Sequence, residues 1–230
     1  MTHVQHIFSS AEALVFDYGG TLDTGGRHWS DVFWQSWQHA GITADAATFR
    51  QAYVTAERTL QDEGLILPDM TFRQTLDLKL RLQLDAAGCP QALRHSLLDE
   101  CYAVACQHTA YSRRVLARLK QNYRLALVSN FYGNLGSVLS EFALNDMFEC
   151  VVESASAGIR KPDPQIFLLC ARQLGVSPEA AVVVGDSLSN DIRPAHTAGF
   201  RTVWLRGPQW DSNADGSCAG TIIDHLYDLI

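Results

Sequence analysis

The sequence of 230 residues has little of what marks several large classes of protein. No apolar run approaches the roughly 20 residues of a membrane-spanning helix, and the first residues lack the basic start and apolar stretch of a signal peptide. The six cysteines include no Cys-x-x-Cys pair, which argues against a zinc site and is typical of reduced cytoplasmic thiols. Acidic residues outnumber basic residues, and the formal net charge of the chain is −7. We therefore expect neither nucleic acid nor a membrane as partner.

What the sequence does contain is an alternation of short apolar runs and helical patterns. Continuous apolar runs are typical of strands in a parallel sheet that is covered on both faces. Helical patterns between them, such as the one from Pro164 to Gly175, favour right-handed crossovers. We therefore predict an α/β fold with a doubly wound parallel sheet. Strands are predicted over residues 13–16, 123–128, 150–153, 181–184, 201–205 and 221–223.

Residues 24–110 have a different, helical character. Residues 76–84 alternate leucine with polar residues, as a strand does, but every residue there favours a helix and none is β-branched. Composition therefore predicts a helix, and a new helix is expected to begin at an N-cap on Ser112. Helices are predicted over residues 29–40, 49–60, 76–84 and 90–108.

These patterns divide the chain into two predicted domains. Residues 1–23 and 111–230 form the α/β core, and residues 24–110 form a helical domain inserted after the first strand. Gly25-Gly26 and the region of Ala110 are the expected hinges.

Polar side chains follow the apolar runs at the points where the predicted strands end. Parallel strands bring these ends to one edge of the sheet, which is where ligands bind in open α/β sheets. Singly, each residue has an ordinary explanation, such as a solvated loop lysine or a helix cap, but together they indicate a site. The residues are Asp17, Ser129, Asn130, Lys161, Asp186 and Asp191.

Three carboxylates at one edge would repel one another unless a cation joined them. Mg²⁺ is the simplest candidate, because it takes oxygen ligands and contacts only one or two carboxylates. Lys161 and the Ser129 hydroxyl would then hold an anionic group, helped by backbone N–H groups. A nucleophilic carboxylate, a cation and an anion cradle together suit phosphoryl transfer. The backbone donors expected in the cradle are those of Gly19, Gly20 and Asn130.

Four motifs resemble those of the haloacid dehalogenase-like (HAD) hydrolase superfamily. They are Asp17-Tyr-Gly-Gly-Thr21, the apolar strand that ends in Ser129, Lys161-Pro162, and Gly185-Asp-Ser-Leu-Ser-Asn-Asp191. The resemblance covers residues 10–23 and 111–230 and implies a Rossmann-like core. The insertion is similar to the helical (C1-type) cap of the family, the usual source of substrate selectivity.

The resemblance implies a role for each matching residue. Asp17 would be the nucleophile that forms an aspartyl-phosphate, and it would bind Mg²⁺ together with Asp186 and the backbone carbonyl of Gly19. Ser129 and Lys161 would hold the phosphate, with Asp191 tied to Lys161 or to a metal-bound water. The residues expected at the substrate are Gly20, Thr21, which would also order the first loop, His28, Ser129, Asn130 and Lys161.

The sequence departs from the family's phosphatases at Gly19, where they carry a second Asp. The backbone carbonyl can still bind a metal ion, but the general acid and base is missing, and such a group is worth about 10²–10⁴-fold in rate. Asp23 and His28 are the candidate replacements. Phosphonate-cleaving members have Ala here and a Schiff-base lysine in the cap. Lys79 is the only lysine of the insertion, and a solvated helix face is its expected place.

Three functions remain open at this point. The first is Mg²⁺-dependent hydrolysis of a small phosphorylated metabolite by a cytoplasmic enzyme. The second is cleavage of a phosphonate P–C bond or displacement of a halogen through the same Asp17. The third is a phosphate-binding or regulatory protein with weak turnover, which Gly19 alone supports. The sequence indicates neither the exact substrate nor the oligomeric state.

Overall fold

The computed structural model describes residue 8, residues 10–208 and residues 216–230. Residues 1–7 of the predicted core domain, with residues 9 and 209–215, lie outside the described part. Within the described part, six parallel strands form one sheet in the order β3-β2-β1-β4-β5-β6, which confirms the predicted α/β fold. The strands are β1 (Ala13–Phe16), β2 (Arg124–Ser129), β3 (Cys150–Glu153), β4 (Ala181–Gly185), β5 (Arg201–Leu205) and β6 (Thr221–Ile223).

Strand β1 lies at the centre of the sheet and is buried along its whole length. Phe16 is aligned with Leu127 of β2 on one side and with Val184 of β4 on the other. Leu14 and Phe16 belong to the hydrophobic core that includes the inserted helices, whereas Ala13 and Val15 belong to the core on the other face. Burial on both faces explains why these strands are continuous apolar runs.

Four helices connect β1 to β2. Helix α3 forms although its leucines alternate with polar residues, because Leu76, Leu80 and Leu84, four residues apart, are buried on one side of the helix. The composition-based prediction of a helix here is therefore confirmed. The four helices are α1 (Trp29–His39), α2 (Ala46–Asp62), α3 (Phe72–Ala86) and α4 (Arg94–Leu119).

Helix α4 corrects the predicted break near Ala110. It runs without interruption from Arg94 to Leu119, so the prediction of separate helices was wrong. Ser112 is not an N-cap: it is buried in mid-helix and its hydroxyl donates to the backbone oxygen of Leu22 at 2.7 Å. A serine can occupy a helix interior when its hydroxyl finds such an acceptor. The division into two domains stays a prediction, and its second boundary falls inside α4.

The remaining helices are short and cover the second half of the sheet. Helix α7 ends at Gly175, whose φ of +68° suits the left-handed conformation of a C-terminal cap. No helix of the described residues is long and apolar enough to cross a membrane. The helices are α5 (Leu135–Glu141), α6 (Ser154–Ala157), α7 (Gln165–Leu174) and α8 (Arg193–Thr197), with a π-helical turn at Leu188–Ile192 before α8.

Candidate active site

Asp17 lies at the carboxyl end of β1, in line with the sheet. Its backbone N–H donates to the oxygen of Val184 at 3.0 Å. The hydroxyl of Thr21 lies 3.3 Å from Oδ2 of Asp17 and 3.0 Å from Oδ1 of Asp186, and it accepts the N–H of Asp186 at 3.0 Å. Thr21 therefore joins the loop after β1 to the end of β4.

Lys161 is buried and joins two of the predicted carboxylates. Its Nζ lies 2.5 Å from Oδ1 of Asp17 and 2.6 Å from Oδ1 of Asp191, and it donates to the oxygen of Val128 at 3.1 Å. Asn130 holds the backbone of Lys161 from both sides, donating from Nδ2 to its oxygen and accepting its N–H, each at 2.9 Å. These contacts exclude the explanation of Lys161 as a solvated loop lysine.

The acidic groups at this edge outnumber the cation that they surround. Oxygens of Asp17, Asp186 and Asp191 lie within 4.8 Å of one another, and all three residues are buried. Burial raises the pKa of Asp17 to about 6, although Lys161 acts in the opposite direction. Burial, Asp191 and Asp17 raise the pKa of Asp186 well above its usual value. A divalent cation would relieve this crowding, and carboxylate oxygens are suitable ligands, so the cluster can hold a metal ion.

The first loop packs against the cluster without a side chain. Gly20 has a φ of +97°, and a Cβ at this position would lie 2.5 Å from the carboxylate oxygens of Asp186. Only glycine combines this conformation with so close an approach. By contrast, a Cβ at Gly19 would meet no described atom within 4 Å.

The N–H of Gly20 does not have the predicted role in a phosphate cradle. It donates to Oδ1 of Asp23 at 2.7 Å, while the indole N–H of Trp29 donates to Oδ2 at 2.8 Å. Asp23 is fully buried, and burial raises its pKa to about 7. This link between the loop after β1 and α1 was not predicted from the sequence, although Asp23 and Trp29 are only six residues apart.

A cavity of about 200 Å³ extends from this loop toward the inserted helices. It is smaller than typical pockets for drug-sized ligands, which are about 300–1,000 Å³, and it therefore suits a small molecule. Gly19, Asp23 and Asn130 line one part of it. Ser129 is buried at the end of β2, directly before Asn130. The rest of the lining consists of His28, Trp29, Tyr53, Glu57, Gln61, Phe72, Thr75, Leu76, Lys79, Phe131, Tyr132 and Arg160.

His28 lines the cavity and also caps helix α1. Its Nδ1 accepts the backbone N–H of Ser30 at 3.2 Å, so this nitrogen is unprotonated in that contact. Its ring lies edge-on to Tyr53, with centroids 6.1 Å apart. Burial lowers the pKa of His28 below its usual value, which favours the neutral imidazole at neutral pH.

Lys79 corrects another expectation, because it is not on a solvated helix face. Its side chain is 12% exposed, and its Nζ lies 2.8 Å from Oε1 of Glu57 on α2. The ammonium also lies 4.9 Å from the ring centre of Tyr132, in the loop after β2. Glu57, Tyr132 and Arg160 were not predicted, since they come from separate parts of the chain. The only available signal was that Lys79 is the single lysine of the insertion.

The parallel sheet, the acidic cluster and the helical insertion define the class of protein. The sequence profile described as haloacid dehalogenase-like hydrolase matches residues 11–199. The chain therefore belongs to the haloacid dehalogenase-like hydrolases, as its motifs predicted, and it is an enzyme of that family.

Several curated relatives are named as phosphatases or by the family. Phosphoserine phosphatase of Thermus thermophilus is 31% identical over 60% of this chain and 53% of its own length. Glyceraldehyde 3-phosphate phosphatase of Pyrococcus furiosus is 35% identical over 41% of this chain and 40% of its own. Haloacid dehalogenase-like hydrolase domain-containing protein 3 of mouse is 33% identical over 73% of this chain and 69% of its own length. The chain thus spans about half or less of the length of the two named phosphatases.

Solved structures share the whole fold at lower identity. A dehalogenase with an intermediate complex matches 96% of both chains with a TM-score of 0.67 and 22% identity. The HAD-hydrolase YfnB of Bacillus subtilis, solved with magnesium, matches 95% of this chain and 96% of its own with a TM-score of 0.60 and 19% identity. At these identities the likeness establishes the fold alone.

Proposed function

We propose that the protein hydrolyses phosphate esters of small metabolites in a Mg²⁺-dependent reaction that begins with attack by Asp17. The observation that carries the proposal is the buried group in which Lys161 lies 2.5 Å from Asp17 and 2.6 Å from Asp191, with Asp186 in the same cluster. This arrangement supplies a nucleophile, a fixed cation and a site for a second cation. The relatives named as phosphatases support the same reaction.

The proposed reaction has two steps, formation of an aspartyl-phosphate on Asp17 and its hydrolysis by water. A carboxylate oxygen of Asp17 attacks phosphorus, the bond from phosphorus to the leaving oxygen breaks, and that oxygen takes a proton. Water then attacks the aspartyl-phosphate, loses a proton and releases inorganic phosphate and Asp17. Lys161 contacts Asp17 and the backbone oxygen of Val128, favours the ionised nucleophile, and would hold the phosphoryl oxygens together with Ser129. Mg²⁺, held by Asp17, Asp186 and the carbonyl of Gly19, would neutralise charge on those oxygens.

Asp23 is the proposed proton donor and acceptor in place of the side chain missing at Gly19. Both residues line the same cavity, and Asp23 accepts the N–H of Gly20, directly beside Gly19. Burial raises the pKa of Asp23 to about 7, so it can both give and take a proton near neutral pH. His28 is less suited, because its Nδ1 is engaged in the helix cap and its lowered pKa leaves few protons to donate.

Activity of the wild-type protein tests the main proposal. Wild type with Mg²⁺ is expected to release phosphate steadily from small phosphate esters. Asp17→Asn and excess chelator should each abolish release, and added Mg²⁺ should restore the chelated enzyme. Phosphate release that persists in Asp17→Asn would overturn the assignment of the nucleophile.

Leaving groups of different acidity test Asp23. Asp23→Asn is expected to lower kcat for alkyl phosphates by about 10²-fold or more while barely changing p-nitrophenyl phosphate, whose leaving group needs no proton. Trp29→Phe is the matched control. It removes the hydrogen bond from the indole of Trp29 to Asp23 but leaves the carboxyl group of Asp23 able to transfer a proton. An equal loss on both substrates would show a merely structural role.

The open space beside Gly19 allows a rescue experiment. Since a Cβ there meets no described atom within 4 Å, Gly19→Asp can place a carboxyl group in the cavity. Combined with Asp23→Asn, it is expected to restore alkyl phosphate hydrolysis. Failure to restore it, in a protein that still cleaves p-nitrophenyl phosphate, would argue against proton transfer as the missing function.

The structure favours phosphate esters over the alternative reactions. A Schiff-base lysine must be neutral to react. Burial acts to lower the pKa of Lys79, but Glu57, Tyr53 and Asp23 together raise it above its usual value, so the ammonium stays charged. This argues against phosphonate cleavage. The buried cluster of three carboxylates, which a divalent cation would relieve, argues against a metal-independent dehalogenation. A regulatory protein without turnover would bind phosphate esters but release no phosphate. A cytoplasmic location agrees with six unpaired cysteines and stays a prediction.

A further inference from the structure

A second polar cluster lies in the cavity, on the side formed by the inserted helices. We call Glu57, Lys79 and Tyr132 the cap cluster. Glu57 comes from α2, Lys79 from α3 and Tyr132 from the loop after β2, and all three line the same cavity as Gly19 and Asp23. The cap cluster therefore faces the part of a substrate that lies beyond its phosphate.

The charges of the cap cluster are matched. Nζ of Lys79 lies 2.8 Å from Oε1 of Glu57, and the phenol of Tyr132 donates to Oε2 of Glu57. The side chains of Lys79 and Glu57 are only 12% and 19% exposed. Burying an ion pair is costly, and it does not by itself improve packing. A matched pair also gives no net attraction for a ligand that carries a charge.

The cap cluster nevertheless retains hydrogen-bonding capacity in both directions. An ammonium has three N–H donors, and each carboxylate oxygen has two lone pairs. Oε1 of Glu57 is buried beside Lys79, whereas Oε2 accepts the hydroxyl of Tyr132 and keeps a second lone pair for a ligand. Lys79 likewise keeps donors. A hydroxyl group uses both, since it donates to Glu57 and accepts from Lys79.

Four aromatic residues contribute to the remaining walls of the cavity. Such rings cover the C–H surface of a short carbon chain, while the cap cluster binds its oxygen atoms. Arg160 is the other cation that lines the cavity, and it donates from Nη1 to Oε1 of Gln61 at 2.8 Å. The four are Trp29, Tyr53, Phe72 and Phe131.

We infer that the cap cluster binds a hydroxyl of the leaving group, so that the substrate is the phosphate ester of a short, uncharged polyhydroxy compound. This rests on the proposed phosphatase function. It assigns Glu57, Lys79 and Tyr132 as specificity-determining residues that bind the leaving group and take no part in the transfer of the phosphoryl group.

Kinetics with matched substrates test this inference. Glycerol 1-phosphate and propyl phosphate differ in their hydroxyl groups, and we expect wild type to prefer the former by about 10–10² in kcat/KM, the effect of hydrogen bonds to charged groups. Lys79→Met and Glu57→Gln should reduce this preference to within about threefold, because each lowers kcat/KM for glycerol 1-phosphate more than for propyl phosphate. Arg73→Met, which breaks the exposed ion pair with Asp99, is the control and should keep the preference.

Folding and charge need their own controls, because each single variant leaves a buried partner unmatched. The double variant Glu57→Gln/Lys79→Met removes both charges and should also lose the preference while melting near wild type. A wild type that hydrolyses phosphoglycolate faster than glycerol 1-phosphate would overturn the inference and point to Arg160. A preference that survives in the double variant would overturn it too.

A binding measurement separates this inference from the proposed function. By calorimetry on the Asp17→Asn protein, glycerol 1-phosphate is expected to bind about tenfold more weakly after Lys79→Met, whatever the turnover of wild type. If wild type cleaves none of the esters, the phosphatase proposal fails, but the binding result still reports on the cap cluster. Equal binding with and without Lys79 would refute the cap cluster's role even in an active phosphatase.

Discussion

The indole of Trp29 donates a 2.8 Å hydrogen bond to the buried carboxylate of Asp23. Asp23 belongs to the loop that follows Asp17, the proposed nucleophile, and Trp29 is the first residue of α1. The same carboxylate accepts the N–H of Gly20. The first inserted helix is thus attached through Asp23 to the loop that follows β1.

Asp23 should make the stability of the protein depend on pH. Its folded pKa of about 7 lies above the unfolded value of 3.8, so the folded state binds this proton more tightly. The contribution of Asp23 to the free energy of unfolding therefore falls by about 1.4 kcal/mol per pH unit from about pH 4 to pH 7 and is constant above that. The Asp23→Asn protein should lack this pH-dependent contribution to the free energy of unfolding.

The difference between the two proteins is the measurement. Urea unfolding with a chelator should show the free energy of unfolding of Asp23→Asn rising relative to wild type by up to about 4 kcal/mol between pH 4 and pH 7. The offset from the altered hydrogen bonds is the same at every pH. A difference that stays constant across this range would contradict a raised pKa for Asp23.

Lys161→Met should damage both stability and activity. The substitution leaves the buried carboxylates of Asp17 and Asp191 without their ammonium, and breaking such a buried pair costs about 3–5 kcal/mol. Urea unfolding in the presence of chelator measures this loss, and phosphate release should also fall by at least about 10²-fold. Lys120→Met, at an exposed lysine, is the control and should match wild type. A stable, active Lys161→Met protein would show that the ion pairs are dispensable.

Gly20→Ala should reduce activity by displacing Asp186. The new Cβ would lie 2.5 Å from the carboxylate oxygens, and a misplacement of about 1 Å in a catalytic group can cost about 10²-fold in rate. Gly64→Ala is the matched control, since Gly64 also has a positive φ of +59° but no described atom within 4 Å of a Cβ. Phosphate release should be slower in Gly20→Ala than in Gly64→Ala. An equal loss of activity in both variants would show that backbone strain, and not the displacement of Asp186, slows the reaction.

Mg²⁺ should raise the thermal stability of the protein through Asp186. A ligand at about 100 times its Kd stabilises the folded state by about 2.7 kcal/mol. We therefore expect the Tm of wild type to rise with Mg²⁺ after treatment with a chelator. Asp186→Asn should lose this rise, whereas Asp62→Asn, at an exposed position, should keep it. A Tm that does not respond to Mg²⁺ in wild type would contradict the proposed site.

Strands and the residues at their ends were predictable because both are local features. Runs such as residues 181–184 are apolar throughout, and parallel pairing then brings Asp17, Lys161 and Asp186 to one edge whatever the details of packing. The long helix α4 was not predictable in the same way. Ser112 has the form of an N-cap in the sequence, but the oxygen of Leu22, distant along the chain, accepts its hydroxyl.

Residue type and order were thus enough to predict the family, the sheet and the edge that carries the proposed site, since each follows from patterns within a few residues. The cavity depended on packing. Lys79 has the same local sequence whether it faces water or Glu57, and only the approach of α2, α3 and the loop after β2 selects the second. The N–H of Gly20 could likewise face a phosphate or Asp23, and the position of the Asp23 side chain in the fold decided between them. Contacts between distant segments depend on the whole fold, which no short stretch of sequence encodes.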